Sequence, residues 1–272
     1  MIYEQVNLSA KGQAPDTQMQ LYLLSNSEEI EKDRRRPIVL ILPGGGYRYL
    51  SFREEEPVAI RMLSLGYHAA VLRYSVAPTT FPAQLLQTMA AIHQLRSRAD
   101  EWHIRADRII VMGFSAGGHL AASAGVFWSK PYYASLLGLE PDDVRPDALA
   151  LCYPVITSGP YAHQGSIDCL TGDPNSPFRD TVSLEKQAGP RVPPCFIWHT
   201  VTDAAVPVEN SMMFASALRK HEVPFELHLF SSGSHGLSLS NNEVYGPERA
   251  DSINKACQQW VELFDAWMKA FG

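Results

Sequence analysis

The passage from Arg108 to Ala122 constrains this chain more than any other. Ile109-Ile110-Val111-Met112, an apolar run of strand length, enters Gly113-Phe114-Ser115-Ala116-Gly117-Gly118 and leaves as the small-residue stretch His119-Leu120-Ala121-Ala122. An uninterrupted apolar run of that length belongs to a strand buried on both faces, as in a parallel sheet covered by helices. A strand that reverses sharply into a helix holds its turn residue in a strained conformation. Its neighbours must then be small, and the Ser115 hydroxyl is thrust out over the sheet edge. Gly113, Gly117 and Gly118 meet that requirement. A glycine-rich turn with an incidental serine is the competing reading.

The same pattern recurs along the chain. Ile2–Leu8 and Thr17–Leu24 flank a turn-like stretch with Gly12, Pro15 and Asp16, which predicts an edge hairpin. Pro37–Leu42, Tyr67–Tyr74, Ala148–Val155, Pro194–His199 and Phe225–Phe230 read as further strands. Helices are expected at Glu55–Leu65, from Pro82 onward, after Ser115, from Pro207 to His221 and from about Arg249 to the end. The last carries Ile253, Ala256, Cys257, Trp260, Phe264 and Trp267 as one apolar stripe. Eight strands and about six helices, antiparallel first and alternating afterwards, predict an α/β fold with a mostly parallel sheet covered on both faces. No internal repeat or linker divides residues 1–272, so a single domain is expected, with a lid-like insertion at about 156–193.

Composition removes several function classes. The 272 residues carry 23 Lys+Arg against 29 Asp+Glu, a net charge of −6, and are 46% hydrophobic. An acidic chain lacks the clustered cations of non-specific nucleic-acid binding. The one basic run, Arg34-Arg35-Arg36, follows Glu28, Glu29, Glu31 and Asp33 and reads as a solvated loop. No apolar run reaches membrane-span length, and Met1–Gln5 lacks the order of a signal peptide, so the cytoplasm is the expected address. Cys152, Cys169, Cys195 and Cys257 are widely spaced and read as buried thiols, with no metal site and no cofactor expected.

Serine is a weak nucleophile until a base takes its proton, so the motif demands a histidine oriented by an acid. After the Ser115 elbow these follow in the order acid, then histidine. Asp203 lies in the loop after the strand ending near His199, and His235 in the flexible loop Ser231–Gly236 after the last strand. Both leave carboxyl ends of strands, as Ser115 does. Asp168, Asp173 and Asp180 are competing acids in turn-forming sequence, where aspartate commonly serves local turns. His199 suits a role positioning the Asp203 loop, and His119 a packing role. The third requirement is a cradle for the oxyanion. Pro43-Gly44-Gly45-Gly46-Tyr47 follows a buried strand and offers unobstructed amides; Gly45, Gly46 and Ala116 are the candidate donors. The segment fails the phosphate-loop patterns, since neither G-x-x-x-x-G-K-[ST] nor G-x-G-x-x-G is present.

Together, Pro43–Tyr47, Leu72-Arg73-Tyr74-Ser75-Val76-Ala77-Pro78, Gly113–Ala121, Asp203-Ala204-Ala205-Val206-Pro207 and Gly233-Ser234-His235-Gly236 resemble the landmarks of α/β-hydrolase-fold serine esterases. The group most similar is the bacterial acetyl-esterase and acetylxylan-esterase-like enzymes. The resemblance implies Ser115 as nucleophile, His235 as base, Asp203 as its partner, and Gly45, Gly46 and Ala116 as oxyanion donors. The chain departs from many relatives in having Pro43 where they carry His before the three glycines. It also has Thr200 after His199, where they often carry Gly.

The expected function is hydrolysis of short-chain acetyl esters through an acyl-enzyme, with sugars or xylo-oligosaccharides as candidate alcohols. Tyr47, Arg48, Tyr49, Tyr161 and His163 are the candidate substrate-binding residues, from loop position. The expected partner is a small-molecule ester, with no nucleic acid and no membrane; a homodimer is compatible with the sequence. The alternatives are an amidase, formamidase or peptidase on the same fold, and a non-catalytic small-molecule binding protein.

Overall fold

Continuous apolar runs become central strands because both sheet faces are covered. The computed structural model describes residues 1–270. Its strands are β1 (Ile2–Leu8), β2 (Thr17–Leu23), β3 (Arg36–Leu42), β4 (His68–Leu72), β5 (Ile104–Phe114), β6 (Ala148–Cys152), β7 (Cys195–Thr200) and β8 (Phe225–Phe230). They form one sheet in the order β1-β2-β4-β3-β5-β6-β7-β8. β1 and β2 form the antiparallel hairpin, β2 is antiparallel to β4, and the remaining neighbours are parallel.

The helices are α1 (Glu56–Ser64), α2 (Ala83–Ser97), α3 (Ala116–Phe127), α4 (Pro131–Leu136), α5 (Gln164–Thr171), α6 (Glu209–Lys220), α7 (Asn242–Tyr245) and α8 (Trp260–Ala270). Period-two alternation along β3 divides its side chains between two cores. Ile38, Leu40 and Leu42 pack with α2, α3 and α6, whereas Val39 and Ile41 pack with α1 and α8. The chain runs outward from β3 to β4, then crosses back to β5 on the other side of β3. The carboxyl ends of β3 and β5 therefore flank the point where strand order reverses, the place where open α/β sheets bind ligands.

At that point the sheet and α3 approach too closely for side chains. A Cβ on Gly117 would lie 2.0 Å from the Leu42 carbonyl oxygen, and one on Gly113 would lie 2.0 Å from that of Gly117. Ser115, between them, has φ +54°, and its amide donates to the Cys152 carbonyl at 3.0 Å. This is the strained elbow the sequence predicts.

The structure corrects two expected element bounds. The closing helix begins at Trp260 and not near Arg249; the segment before it holds two short 3₁₀ turns, Pro247–Ser252 and Cys257–Gln259, parted where the Asn254 side chain takes the Ala256 and Cys257 amides at 3.1 and 3.2 Å. Ile253 and Ala256 thus drop out of the stripe, while Trp260, Phe264 and Trp267 stay buried. The strand from Ala148 ends at Cys152 because Tyr153 turns to φ +38°. The 156–193 connection contains α5 and buries Ile167, Leu170, Val182 and Leu184 against the body. No described helix is long and apolar enough to cross a membrane.

His119, fully buried on α3, ties this connection down. Its Nε2 donates to the Val182 carbonyl at 2.8 Å, so Nδ1 is left to accept from the Tyr47 hydroxyl at 2.9 Å. Burial pushes the imidazole down to about 4 from 6.5. Because the folded value lies below the free one, this site's full stability is present above pH 6.5 and is lost as pH falls towards 4. Linkage puts that loss at about 3 kcal/mol. Urea unfolding of wild type and His119→Asn should therefore show a wild-type advantage at pH 7 that shrinks by about this amount at pH 4. An advantage independent of pH would contradict the assignment.

Candidate active site

Four loops converge at the carboxyl edge of the sheet: the glycine loop after β3, the elbow after β5, the Asp203 loop after β7 and the His235 loop after β8. β8 lies three strand positions from β5, about 14 Å at ordinary strand spacing, so the His235 loop must run back across the sheet. It is held on that course at several points. The Thr200 hydroxyl donates to the Gly233 carbonyl at 3.0 Å, the Gly233 amide donates to Thr202 Oγ1 at 3.0 Å, and Asn254 Nδ2 donates to the Ser232 carbonyl at 2.7 Å.

His235 Nε2 then lies 2.7 Å from Ser115 Oγ, and its Nδ1 lies 2.6 Å from Asp203 Oδ2. Asp203 Oδ1 accepts the Ala205 and Val206 amides, both at 2.9 Å. Burial alone would raise the Asp203 carboxyl, but hydrogen bonds from His199 and His235, the His235 charge and the Val206 amide outweigh it and hold it well below the usual carboxylate range. A carboxylate so surrounded by donors accepts a hydrogen bond from His235 Nδ1–H and keeps the proton on that nitrogen, which leaves Nε2 free to accept from Ser115. His199 supports the same loop from below. Its Nε2 donates to the Val206 carbonyl at 3.0 Å and lies 3.4 Å from Asp203 Oδ2, while its Nδ1 accepts from Ser211 at 2.7 Å. The three competing acids are engaged locally: Asp168 with Arg179 at 2.5 Å, Asp180 with Lys186 at 2.7 Å, and Asp173 with the Asn175 amide at 2.7 Å.

Ser115 and His235 open into a cleft of about 500 Å³. Gly45 and Gly46 line it with bare backbone, at φ +126° and +64°. A Cβ on Gly45 would meet the Tyr49 carbonyl oxygen at 2.1 Å, so no other residue fits that turn. Ala116 is the first residue of α3, where an amide has no partner within the helix. Of the residues expected to bind substrate, Arg48, Tyr49 and His163 line the cleft. The proton on His163 sits on Nε2, because Nδ1 accepts the Ser166 amide at 3.2 Å as the cap of α5.

Tyr47 and Tyr161 are not among the cleft-lining residues. Tyr47 is fully buried because its φ of +57° turns the ring inward, against Tyr74 and His119. Tyr161 sits partly exposed beside α6, where its carbonyl accepts from Asn210 Nδ2 at 2.9 Å. Sequence reasoning missed Arg53 and Glu54, which line the cleft, and Tyr153, whose ring meets His235 edge-on at 5.2 Å. Among the described residues, no cluster of three or more His, Cys, Asp or Glu could hold a metal ion.

The chain matches the BD-FAE family model over residues 19–133 and the prolyl oligopeptidase family model over residues 85–252. It is 38% identical over 223 residues to endo-1,4-beta-xylanase B of Butyrivibrio fibrisolvens, covering 78% of this chain and 34% of that protein. The chain spans about a third to a little over half the length of the curated relatives it matches. Solved structures match over nearly their whole length. The acetyl ester-xyloside bifunctional hydrolase of Caldicellulosiruptor lactoaceticus superposes with a TM-score of 0.81 at 37% identity, covering 94% of this chain and 88% of that one. A carboxylesterase of Lactobacillus plantarum superposes with a TM-score of 0.88 at 32% identity, covering 99% and 98%. With structural relatives above 30% identity that it covers over most of their length, the chain belongs to the α/β-hydrolase-fold serine esterases, in the acetyl-esterase and acetylxylan-esterase-like group.

Proposed function

We propose that the protein hydrolyses short-chain carboxylic esters, acetyl esters of sugars or xylo-oligosaccharides foremost, through an acyl-enzyme on Ser115. The observation that carries this reading is the unbroken hydrogen-bond chain from Ser115 through His235 to Asp203, at 2.7 and 2.6 Å, opening into the cleft. In the proposed sequence His235 Nε2 takes the Ser115 proton as Oγ attacks the ester carbonyl. The amides of Gly45, Gly46 and Ala116 receive the oxyanion, and His235 passes its proton to the departing alkoxide. A water then repeats the attack on the acyl-enzyme, with His235 again as base, and releases the acid. Each step needs only protein groups and water.

The cleft wall supports a short acyl group and a polar alcohol. Arg48, Ser51, Arg53, Glu54 and His163 line it beside glycines, with Tyr49 as its one large ring and no aliphatic side chain. A longer acyl chain would find no aliphatic side chain to pack against there, so little of the roughly 0.8 kcal/mol per buried methylene is gained. The names of the xylanase and of the ester-xyloside hydrolase among the relatives support a saccharide on the alcohol side.

A panel of p-nitrophenyl esters of rising chain length, run beside acetylated xylo-oligosaccharides, tests this reading. kcat/KM should be highest for acetate and fall at least tenfold by octanoate. Equal or better turnover of long chains would refute the short-acyl assignment. An amide substrate is the second reading, and the match to the prolyl oligopeptidase family model favours it. Acetyl p-nitroanilide in the same panel decides between them, and it should be turned over far more slowly than the ester.

A further inference from the structure

We propose that Glu54 is a positioning residue for the reaction assigned above: its carboxylate locks the glycine loop to the His235 loop and sets a second negative charge beside the imidazole. The inference rests on the esterase reading of the site. Glu54 ends the 3₁₀ turn Phe52–Glu54 before α1 and is only 2% exposed. Its Oε2 accepts the Gly44 amide at 2.8 Å, and its Oε1 accepts the Tyr153 hydroxyl at 2.7 Å. A Cβ built on Gly44 would lie 2.7 Å from Oε2 and 3.0 Å from the Ser115 Cβ, so the carboxylate sits directly against the glycine loop beside the nucleophile.

The second half of the link runs through Tyr153. Its hydroxyl oxygen takes the Ser238 amide at 2.8 Å, which leaves the phenolic proton for Glu54. Ser238 belongs to the same loop as His235, and its own hydroxyl returns to the Arg53 carbonyl at 2.6 Å. One buried carboxylate therefore joins the loop that presents Gly45 and Gly46 to the loop that presents His235. An amide at this position could satisfy Gly44 equally well, and burying a charge is costly unless something compensates it. Both oxygens face donors only, which favours the ionised form, and the His235 imidazole is a charge partner whenever it takes a proton. Burial leaves the Glu54 carboxyl raised above its usual value, with the Tyr153 hydroxyl, the Gly44 amide and the His235 charge offsetting only part of that rise.

The charged or titratable groups around His235 are Asp203 from the loop after β7, Glu54 and Arg53 from the turn before α1, Tyr153 after β6 and His163 at the start of α5. Asp203 fixes the tautomer. Glu54, whose oxygens are taken by the Gly44 amide and the Tyr153 hydroxyl, adds charge without competing for the Nδ1 proton.

The test compares kcat, KM and the pH profile of wild type, Glu54→Gln, Glu54→Asp and Tyr153→Phe on p-nitrophenyl acetate, with Ser115→Ala as the blank. Glu54→Gln should lose roughly ten- to a hundredfold in kcat with KM nearly unchanged. The acid limb of its kcat/KM profile should move to lower pH by about half a unit or more, because the imidazolium loses a neighbouring anion. Tyr153→Phe keeps the charge and cuts the link, so kcat should fall with the acid limb in place. Should Glu54→Gln fail to fold, Glu54→Asp carries the test, with reduced kcat and an unmoved acid limb. Wild-type kcat in Glu54→Gln, or a Glu54→Gln profile whose acid limb stays put, overturns the proposal. Wild-type rates no higher than the Ser115→Ala blank would overturn the esterase reading itself, and this inference with it.

Discussion

Ser115→Ala lowers turnover of an acetyl ester by about 10⁶-fold while leaving the fold intact. The substitution deletes one atom, the Oγ that lies 2.7 Å from His235 Nε2, and leaves the Cβ in place. The φ of +54° at this position is imposed by the surroundings, by the hydrogen bond its amide donates to the Cys152 carbonyl and by the close approach of Gly113 and Gly117, so alanine inherits the same elbow. The residual rate reflects the cradle alone, since amides that hold an oxyanion still favour attack by water. Steady-state kinetics with circular dichroism on the same samples checks both halves. Substantial turnover by a folded variant would remove Ser115 from the chemistry.

Asp203→Asn costs about 10⁴-fold in kcat, and the reason is a proton in the wrong place. Asp203 Oδ1 already receives two backbone amides, from Ala205 and Val206 at 2.9 Å, so only an oxygen is tolerated there. The NH₂ of asparagine must then occupy the Oδ2 position, facing His235 Nδ1 and His199 Nε2. An N–H facing Nδ1 forces the His235 proton onto Nε2, where it can no longer accept from Ser115. The geometry survives but the base is disabled. Because that block is one of tautomer, the variant should keep a KM close to wild type while kcat falls. A loss of less than tenfold would show that Asp203 does not set the His235 tautomer.

Much of this architecture was legible because the physics that builds it is local. Ile38–Leu42 and Ile109–Met112 are apolar without a break, and only a strand covered on both faces suits them. The elbow was legible because small residues at 113, 117 and 118 have no other strong reason to cluster there, and Asp203 and His235 because each follows a strand. What escaped depends on backbone angles or on distant partners. Nothing in Arg53-Glu54-Glu55-Glu56 itself signals burial, yet Glu54 and Glu55 are each 2% exposed, one beneath the glycine loop and the other paired with Arg73 at 2.6 Å. Tyr153 reads as the tail of a strand, and only its φ of +38° sends the ring towards His235. Tyr47 follows the glycines and reads as a cleft wall for the same reason in reverse: a positive φ turns it into the core. Asn254 stops the closing helix from starting early through side-chain bonds that composition cannot announce.

The account stands on Ser115 as the atom that carries the acyl group. The most direct measurement is to treat the protein with a fluorophosphonate, which captures serines activated as nucleophiles, and to map the adduct by peptide mass spectrometry. The prediction is one adduct per chain, on the peptide containing Ser115, formed in step with the loss of acetyl-ester hydrolysis and abolished in His235→Ala. An adduct on another residue, or full hydrolysis surviving complete labelling of Ser115, would contradict it.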